Sequence, residues 1–205
     1  MEIFLYIASA VCAYLISGIN PAIILSKKIY HKDIRTIGSG NPGFTNFKRS
    51  FGGKWAWCVL VFDLSKSAVV TVFFAHAFDR SLGLYQLGAA YTGFFALLGH
   101  AFPIWYNFKG GKGFLAYMSV IWFIDARAGF VALLIMLILL FITKYMSLST
   151  VCAMLTCPLT LYLTGASHIV VILCLISVSF IAIRHKENFK RLKNGTESKF
   201  SFSKI

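Results

Sequence analysis

Acidic residues are scarce in this chain, with seven Asp and Glu among 205 positions against 20 Lys and Arg. The seven are scattered and the five histidines lack ligand spacing, so no metal site is expected. The five cysteines (Cys12, Cys58, Cys152, Cys157 and Cys174) lie in apolar stretches without a C-x-x-C pair. They read as small buried hydrophobes, not as a disulfide framework. Charge of either sign is sparse at 13%, while 58% of residues are hydrophobic. That balance excludes an ordinary soluble domain and describes a polytopic membrane protein. The net charge of +13 lies between and after apolar segments, which is loop bias at a membrane, so no nucleic-acid partner is expected.

Long apolar runs fill the chain instead. Ile3–Ser26 carries no charge over 24 residues, enough to cross a bilayer. It lacks a basic n-region and exceeds a signal-peptide core, so it is expected to be a retained first span. Trp55–Phe78 is equally long but holds Asp63, Lys66 and His76, and Ser81–Phe108 is uncharged throughout. Tyr145–Ile183 runs 39 residues and is divided by Gly165-Ala166-Ser167-His168. Gly113–Thr143 has Asp125 and Arg127 near its middle. One helix there would hold both charges in the bilayer core at a cost of several kcal/mol. Split at Asp125–Arg127, the chain has seven spans, with Gly113–Ile124 short. Seventeen of the 20 basic residues then share one face. The expected fold is an all-α polytopic membrane protein of seven transmembrane helices, one short. The positive-inside bias makes the N-terminus external and the C-terminus cytoplasmic. Residues 1–205 are expected to form a single domain.

Three polar, glycine-bearing runs interrupt the apolar sequence, and this layout places all of them on the cytoplasmic face. The first is Gly38-Ser39-Gly40-Asn41-Pro42-Gly43-Phe44-Thr45-Asn46. Glycine takes φ > 0 without strain, so Gly38-Ser39-Gly40 can turn successive N–H groups toward one anion. Thr45, Asn46 and Arg49 add further donors. The run also matches G-x-G-x-x-G, but no strand precedes it, and a dinucleotide fingerprint is rejected. The second is Gly99-His100-Ala101-Phe102-Pro103 running into Lys109-Gly110-Gly111-Lys112-Gly113. Its spacing fails as a P-loop, yet a lysine beside two glycines suits a phosphate; His100 reads as structural. The third is Arg184-His185-Lys186-Glu187-Asn188. His185 and Asn188 share a helix face and read as functional, whereas Arg184, Lys186, Lys190 and Arg191 read as a basic stop after the last span. Asp63 and Lys66 read as a structural clamp within the second span. The hydroxyls of Tyr145-Met146-Ser147-Leu148-Ser149-Thr150 either cap a helix or donate to a ligand. Asn194-Gly195-Thr196 matches a glycosylation acceptor, discounted on the cytoplasmic side.

These runs, in this order, resemble the bacterial PlsY-type acyl-phosphate:glycerol-3-phosphate acyltransferase family. Gly38–Asn46 is similar to the family's G-S-G-N-P-G-A-T-N, with Phe44 at the usual Ala. Gly99–Pro103 and Phe108–Gly113 are similar to G-H-x-F-P and F-K-G-G-K-G. Arg184–Gly195 is similar to R-H-x-E-N-x-x-R-L-x-x-G. Ala116 and Thr150 stand where threonine and serine are usual. The resemblance implies transfer of a fatty acyl group from acyl-phosphate to the 1-hydroxyl of glycerol 3-phosphate, giving lysophosphatidate and inorganic phosphate. It implies no cofactor, a bacterial inner membrane location, and a site on the cytoplasmic face in contact with membrane lipid. It implies substrate binding by Gly38, Ser39, Gly40, Asn41, Gly43, Thr45, Asn46, Arg49, Gly110, Gly111, Ser147, Thr150 and Glu187, and catalytic roles for Lys112, His185 and Asn188. The Gly38–Thr45 loop would mainly hold the acyl-phosphate; Arg49, Lys112 and Thr150 would mainly hold glycerol 3-phosphate.

The His-x-x-x-x-Asp motif of acyltransferases that use acyl-CoA is absent. The fifth residues after the five histidines are Thr36, Ser81, Trp105, Leu173 and Lys190, none of them acidic. Two proton acceptors stay open, His185 and the departing phosphate, of which the second is favoured. A transporter is disfavoured because the polar runs crowd one face and no internal repeat is visible. A purely structural membrane subunit would leave the three runs without a purpose.

Overall fold

Ten α-helices carry the apolar stretches and their connections in a computed structural model that describes residues 2–201. The expected first span is interrupted: α1 (Glu2–Ser17) and α2 (Pro21–Tyr30) are separated at residues 18–20. Pro21 has no N–H to continue the helix from α1, and Asn20 caps α2 by accepting the Ile23 N–H at 3.0 Å. A short amphipathic helix, α3 (Phe44–Phe51), follows the first polar run. It turns through Gly52 (φ +64°) into α4 (Gly53–Leu82), whose 30 residues make it about 45 Å long.

The next uncharged stretch is not helical to its end. α5 (Tyr85–Ala101) stops before Pro103, and a 3-10 turn at Ile104–Tyr106 leads through left-handed Asn107 and Phe108 toward α6 (Phe114–Ile124). The expected break at Asp125 is present. Its side chain caps α7 (Ala126–Thr143), with Oδ1 accepting the Arg127 N–H at 2.8 Å. Oδ2 accepts from the Arg127 guanidinium at 2.7 Å and the Thr164 hydroxyl at 3.0 Å. The long stretch after Tyr145 divides as expected into α8 (Met146–Leu163) and α9 (His168–Arg184). α10 (Lys186–Lys193) bends 51° away from α9.

Among the described residues, five helical segments are long and apolar enough to cross a membrane, or six if α9 and α10 count as one bent span. α6 has only 11 residues, about 16 Å or half a hydrocarbon core. It is nevertheless central: Tyr117, Val120 and Ile121 are fully buried, packed with residues of α5, α8 and α9. Large apolar side chains such as Phe73, Phe141 and Leu163 face outward, the distribution expected of a protein dissolved in lipid. α1 approaches α5 so closely that a Cβ on Gly99 would overlap the Tyr14 carbonyl group. This contact, the Tyr14 hydroxyl on the Phe102 carbonyl (2.6 Å) and the Trp105 indole on the Leu15 carbonyl (2.9 Å) fix the helix ends from which the polar loops emerge.

Candidate active site

The three polar runs converge on one cavity of about 630 Å³. Its polar wall is supplied by the α3 N-terminus, Lys112, the first turn of α8, and the α9–α10 junction. Its apolar wall comes from α4 (Trp57, Leu60), α6 (Phe114, Leu115) and α7 (Met136, Leu137, Leu140).

The first loop is folded by Asn46. Its Oδ1 accepts the Ser39 N–H at 3.1 Å, while its Nδ2 donates to the Ile37 carbonyl at 2.9 Å. The Gly40 N–H donates to the Ile37 carbonyl at 3.0 Å. Two N–H groups expected to face an anion are therefore used inside the loop, which Gly38 and Gly40 close with φ of +60° and +70°. The donors left for a ligand lie one turn later. Gly43 is the N-cap of α3 and has no side-chain cap, so the helix start offers N–H groups and the positive end of a dipole. Gly38, Ser39, Asn41, Gly43, Thr45, Asn46 and Arg49 all line the cavity; Gly40 does not.

Gly110 and Gly111 also lie outside the cavity lining. Both are buried and hold the second loop in place. Their N–H groups donate to the carbonyls of Ala101 (3.2 Å) and His100 (3.1 Å), and Arg184 donates to the Gly111 carbonyl at 2.9 Å. A Cβ on Gly111 would overlap the His100 ring. Arg184, expected to be a basic stop, is thus a brace for this loop, which delivers Lys112 to the cavity.

Lys112 donates to the Asn188 side-chain oxygen. Asn188 Nδ2 donates to Glu197 Oε1 at 2.7 Å, Ser147 Oγ donates to the same oxygen at 2.8 Å, and Arg191 Nε donates to Oε2 at 2.7 Å. Glu197 and Arg191 were not among the expected site residues, whereas Glu187 was. Glu187 is exposed on the first turn of α10 and does not line the cavity. The carboxylate that organises the site comes from the tail, because Gly195 (φ +68°) ends the helix and the Thr196 N–H returns to the Arg191 carbonyl at 2.8 Å. A glycine just past a basic helix, followed by a lone acid, was the available signal.

Burial and the charge of Arg191 lower the Lys112 pKa to about 8, partly offset by Glu197. Burial raises the Glu197 pKa, but hydrogen bonds from Asn188, Ser147 and Arg191 outweigh it and leave the carboxyl below its ordinary value. His185 is buried at the α9–α10 junction, with Nδ1 2.8 Å from the Ile181 carbonyl, which assigns the ring proton to Nδ1. Burial lowers its pKa to about 4, so the ring is neutral near pH 7. Thr150 and Ser147 are buried on α8 and line the same cavity.

The family model for glycerol-3-phosphate acyltransferase matches residues 7–195. The glycerol-3-phosphate acyltransferase of Agrobacterium fabrum is 37% identical over 193 residues, covering 93% of this chain and 90% of the relative. That of Brucella anthropi is 35% identical over 194 residues, covering 94% and 92%. Crystal structures of PlsY (YgiH), an integral membrane glycerol 3-phosphate acyltransferase, are similar throughout. Its glycerol 3-phosphate form superposes with a TM-score of 0.87 at 28% identity over 96% of both chains. Its lysophosphatidic acid form gives 0.84 at 27% over 97% of both. With the fold, the ordered polar runs and these matches in agreement over nearly the whole length, the chain belongs to the glycerol-3-phosphate acyltransferase family of integral membrane acyltransferases.

Proposed function

We propose that the protein takes its acyl group from a fatty acyl-phosphate and transfers it to the 1-hydroxyl of glycerol 3-phosphate. The lining of the cavity carries this reading: cationic, amide and hydroxyl groups for two phosphates meet an apolar wall in one space. Leu137 and Leu140 are shared with an apolar groove on α7 that runs past Ile138 and Phe141, a route for the acyl chain into the bilayer. In the same reading α6 is the short fourth span of seven, the N-terminus is external, and the site opens to the cytoplasm at a bacterial inner membrane.

The α3 N-terminus, with Ser39 and Thr45, receives the acyl-phosphate; Arg49, Lys112, Ser147 and Thr150 hold glycerol 3-phosphate. The 1-hydroxyl oxygen bonds to the acyl carbonyl carbon as the bond from that carbon to the phosphate oxygen breaks. The hydroxyl proton passes to the departing phosphate. The Nδ1–H bond to the Ile181 carbonyl leaves Nε2 of His185 free, but burial and the Lys112 charge lower the ring's basicity, so His185 serves to orient the hydroxyl. Lys112 neutralises developing charge, and Asn188 holds Lys112.

Purified protein in detergent, given palmitoyl-phosphate and glycerol 3-phosphate, is expected to release lysophosphatidate and inorganic phosphate in equal amounts, with palmitoyl-CoA inert. Absence of turnover while glycerol 3-phosphate still binds would overturn the choice of donor. His185→Gln is expected to retain measurable kcat; its abolition with unchanged affinities would return the proton to His185.

A further inference from the structure

Asp63, Lys66 and His100 form a buried polar cluster beneath the cavity, with relative exposures of 1%, 7% and 4%. Lys66 Nζ lies 2.8 Å from Asp63 Oδ1, and His100 Nδ1 lies 3.6 Å from the same oxygen. Asp63 and His100 reach the cavity wall. Neither Asp63 Oδ2 nor His100 Nδ1 makes a hydrogen bond among the described residues.

Each end of the cluster leads to a different substrate loop. On one side Lys66 donates to the Ile19 carbonyl at 2.7 Å, inside the break between α1 and α2. The next residue, Asn20, is buried and donates from Nδ2 to the Pro42 carbonyl at 3.1 Å, in the middle of the Gly38–Thr45 loop. On the other side the His100 ring packs on Gly111 so tightly that no Cβ fits, and the His100 carbonyl accepts the Gly111 N–H at 3.1 Å. Gly111 is the neighbour of Lys112. A clamp that only joined helices would need neither the unwound backbone at Ile19 nor the contact with the second loop.

We propose that this cluster sets the spacing between the two substrate loops, which makes Asp63, Lys66 and His100 positioning residues for acyl transfer. The proposal rests on the two-substrate reading above. Lys66 registers the loop for the acyl-phosphate, His100 registers the lysine loop for glycerol 3-phosphate, and Asp63 joins them.

The test is a pattern of affinities in the full-length protein. Lys66→Met is expected to raise KM for palmitoyl-phosphate about tenfold and leave KM for glycerol 3-phosphate within about twofold; His100→Ala is expected to do the reverse. Asp63→Asn is expected to raise both. Because a single unpaired buried charge can prevent folding, the double variant Asp63→Leu with Lys66→Met, which removes both charges, is made alongside. It is expected to unfold near the wild-type temperature yet raise both KM values. Folded variants with unchanged KM values would overturn the proposal. So would a fall in kcat alone, which would place His100 or Asp63 on the reacting atoms. The dissociation constant of glycerol 3-phosphate, measured by calorimetry without donor, is also expected to rise in His100→Ala. If the wild type binds glycerol 3-phosphate but fails to turn over palmitoyl-phosphate, the choice of donor fails and this measurement still decides for His100.

Discussion

The Lys112 ammonium, on the loop between α5 and α6, donates to the side-chain oxygen of Asn188 on α10. The contact joins residues 76 positions apart and ties two of the three polar runs together. Asn188 in turn is held by Glu197, so the lysine is aimed through a relay that begins in the tail. Asn188→Ala would leave Lys112 without its guide. A hydrogen bond to a charged group contributes about 2 kcal/mol, so kcat/KM for glycerol 3-phosphate is expected to fall about thirtyfold. Steady-state kinetics at saturating acyl donor checks this.

Lys112 also sets a pH limit. Its pKa of about 8 lies below the ordinary lysine value because burial and Arg191 disfavour the cation. The ammonium is present below that pH and lost above it, so KM for glycerol 3-phosphate is expected to rise as pH passes from about 7.5 to 9. Lys112→Arg keeps its charge throughout. The variant is expected to bind more weakly at pH 7 but to show a flat KM profile over the same range.

Glu197→Ala removes the acceptor for Ser147, Asn188 and Arg191 at once. Its side chain is 8% exposed, so water replaces those partners poorly. A loss of about 2 kcal/mol is expected, seen as a thermal midpoint lower by about 5 °C in detergent. Glu187→Ala, on the exposed side of α10, is expected to leave the midpoint unchanged.

Gly99→Ala separates packing from helix propensity. Alanine in mid-helix is favoured over glycine by about 1 kcal/mol. At this position the added methyl meets the Tyr14 backbone, which cannot rotate away. The variant is expected to be destabilised by about 2 kcal/mol in spite of its better propensity, and thermal unfolding gives the sign directly.

Phe44 is buried against Trp57, with ring centroids 5.6 Å apart, and lines the cavity next to the Gly38–Thr45 loop. Phe44→Ala is expected to cost about 3 kcal/mol and to widen the apolar wall where the first carbons of the acyl chain would lie. Donors branched near the carboxyl are then expected to gain several-fold in kcat/KM relative to straight-chain donors. Competition between the two donor classes provides the measurement.

Helix identity was legible in the sequence because apolar runs of about 20 residues have few other uses. The break at Asp125 was legible because charge in a bilayer is costly. The interruption at residues 18–20 was not, since Gly18-Ile19-Asn20-Pro21 carries no charge and its stabilising partners, Lys66 and Pro42, are distant in the chain. Residues with donors, such as Lys112, Ser147, Thr150 and His185, were found from their motifs and line the cavity. Glycines were harder to assign. Gly40, Gly110 and Gly111 shape loops from behind, and only coordinates separate a glycine that admits a ligand from one that admits another segment of protein. Glu187 came from the resemblance of Arg184–Gly195 to the family's third motif, and Glu197 lies two residues beyond that motif, past the turn at Gly195.

Glu197 lies downstream of all ten helices. It also gathers residues from α8 and α10, and through Asn188 it reaches the loop before α6. Glu197 is synthesised after every helix that it helps to tie together, so its contacts with Ser147 and Asn188 can form only once synthesis has passed the last helix, and the polar relay of the cavity closes late in folding.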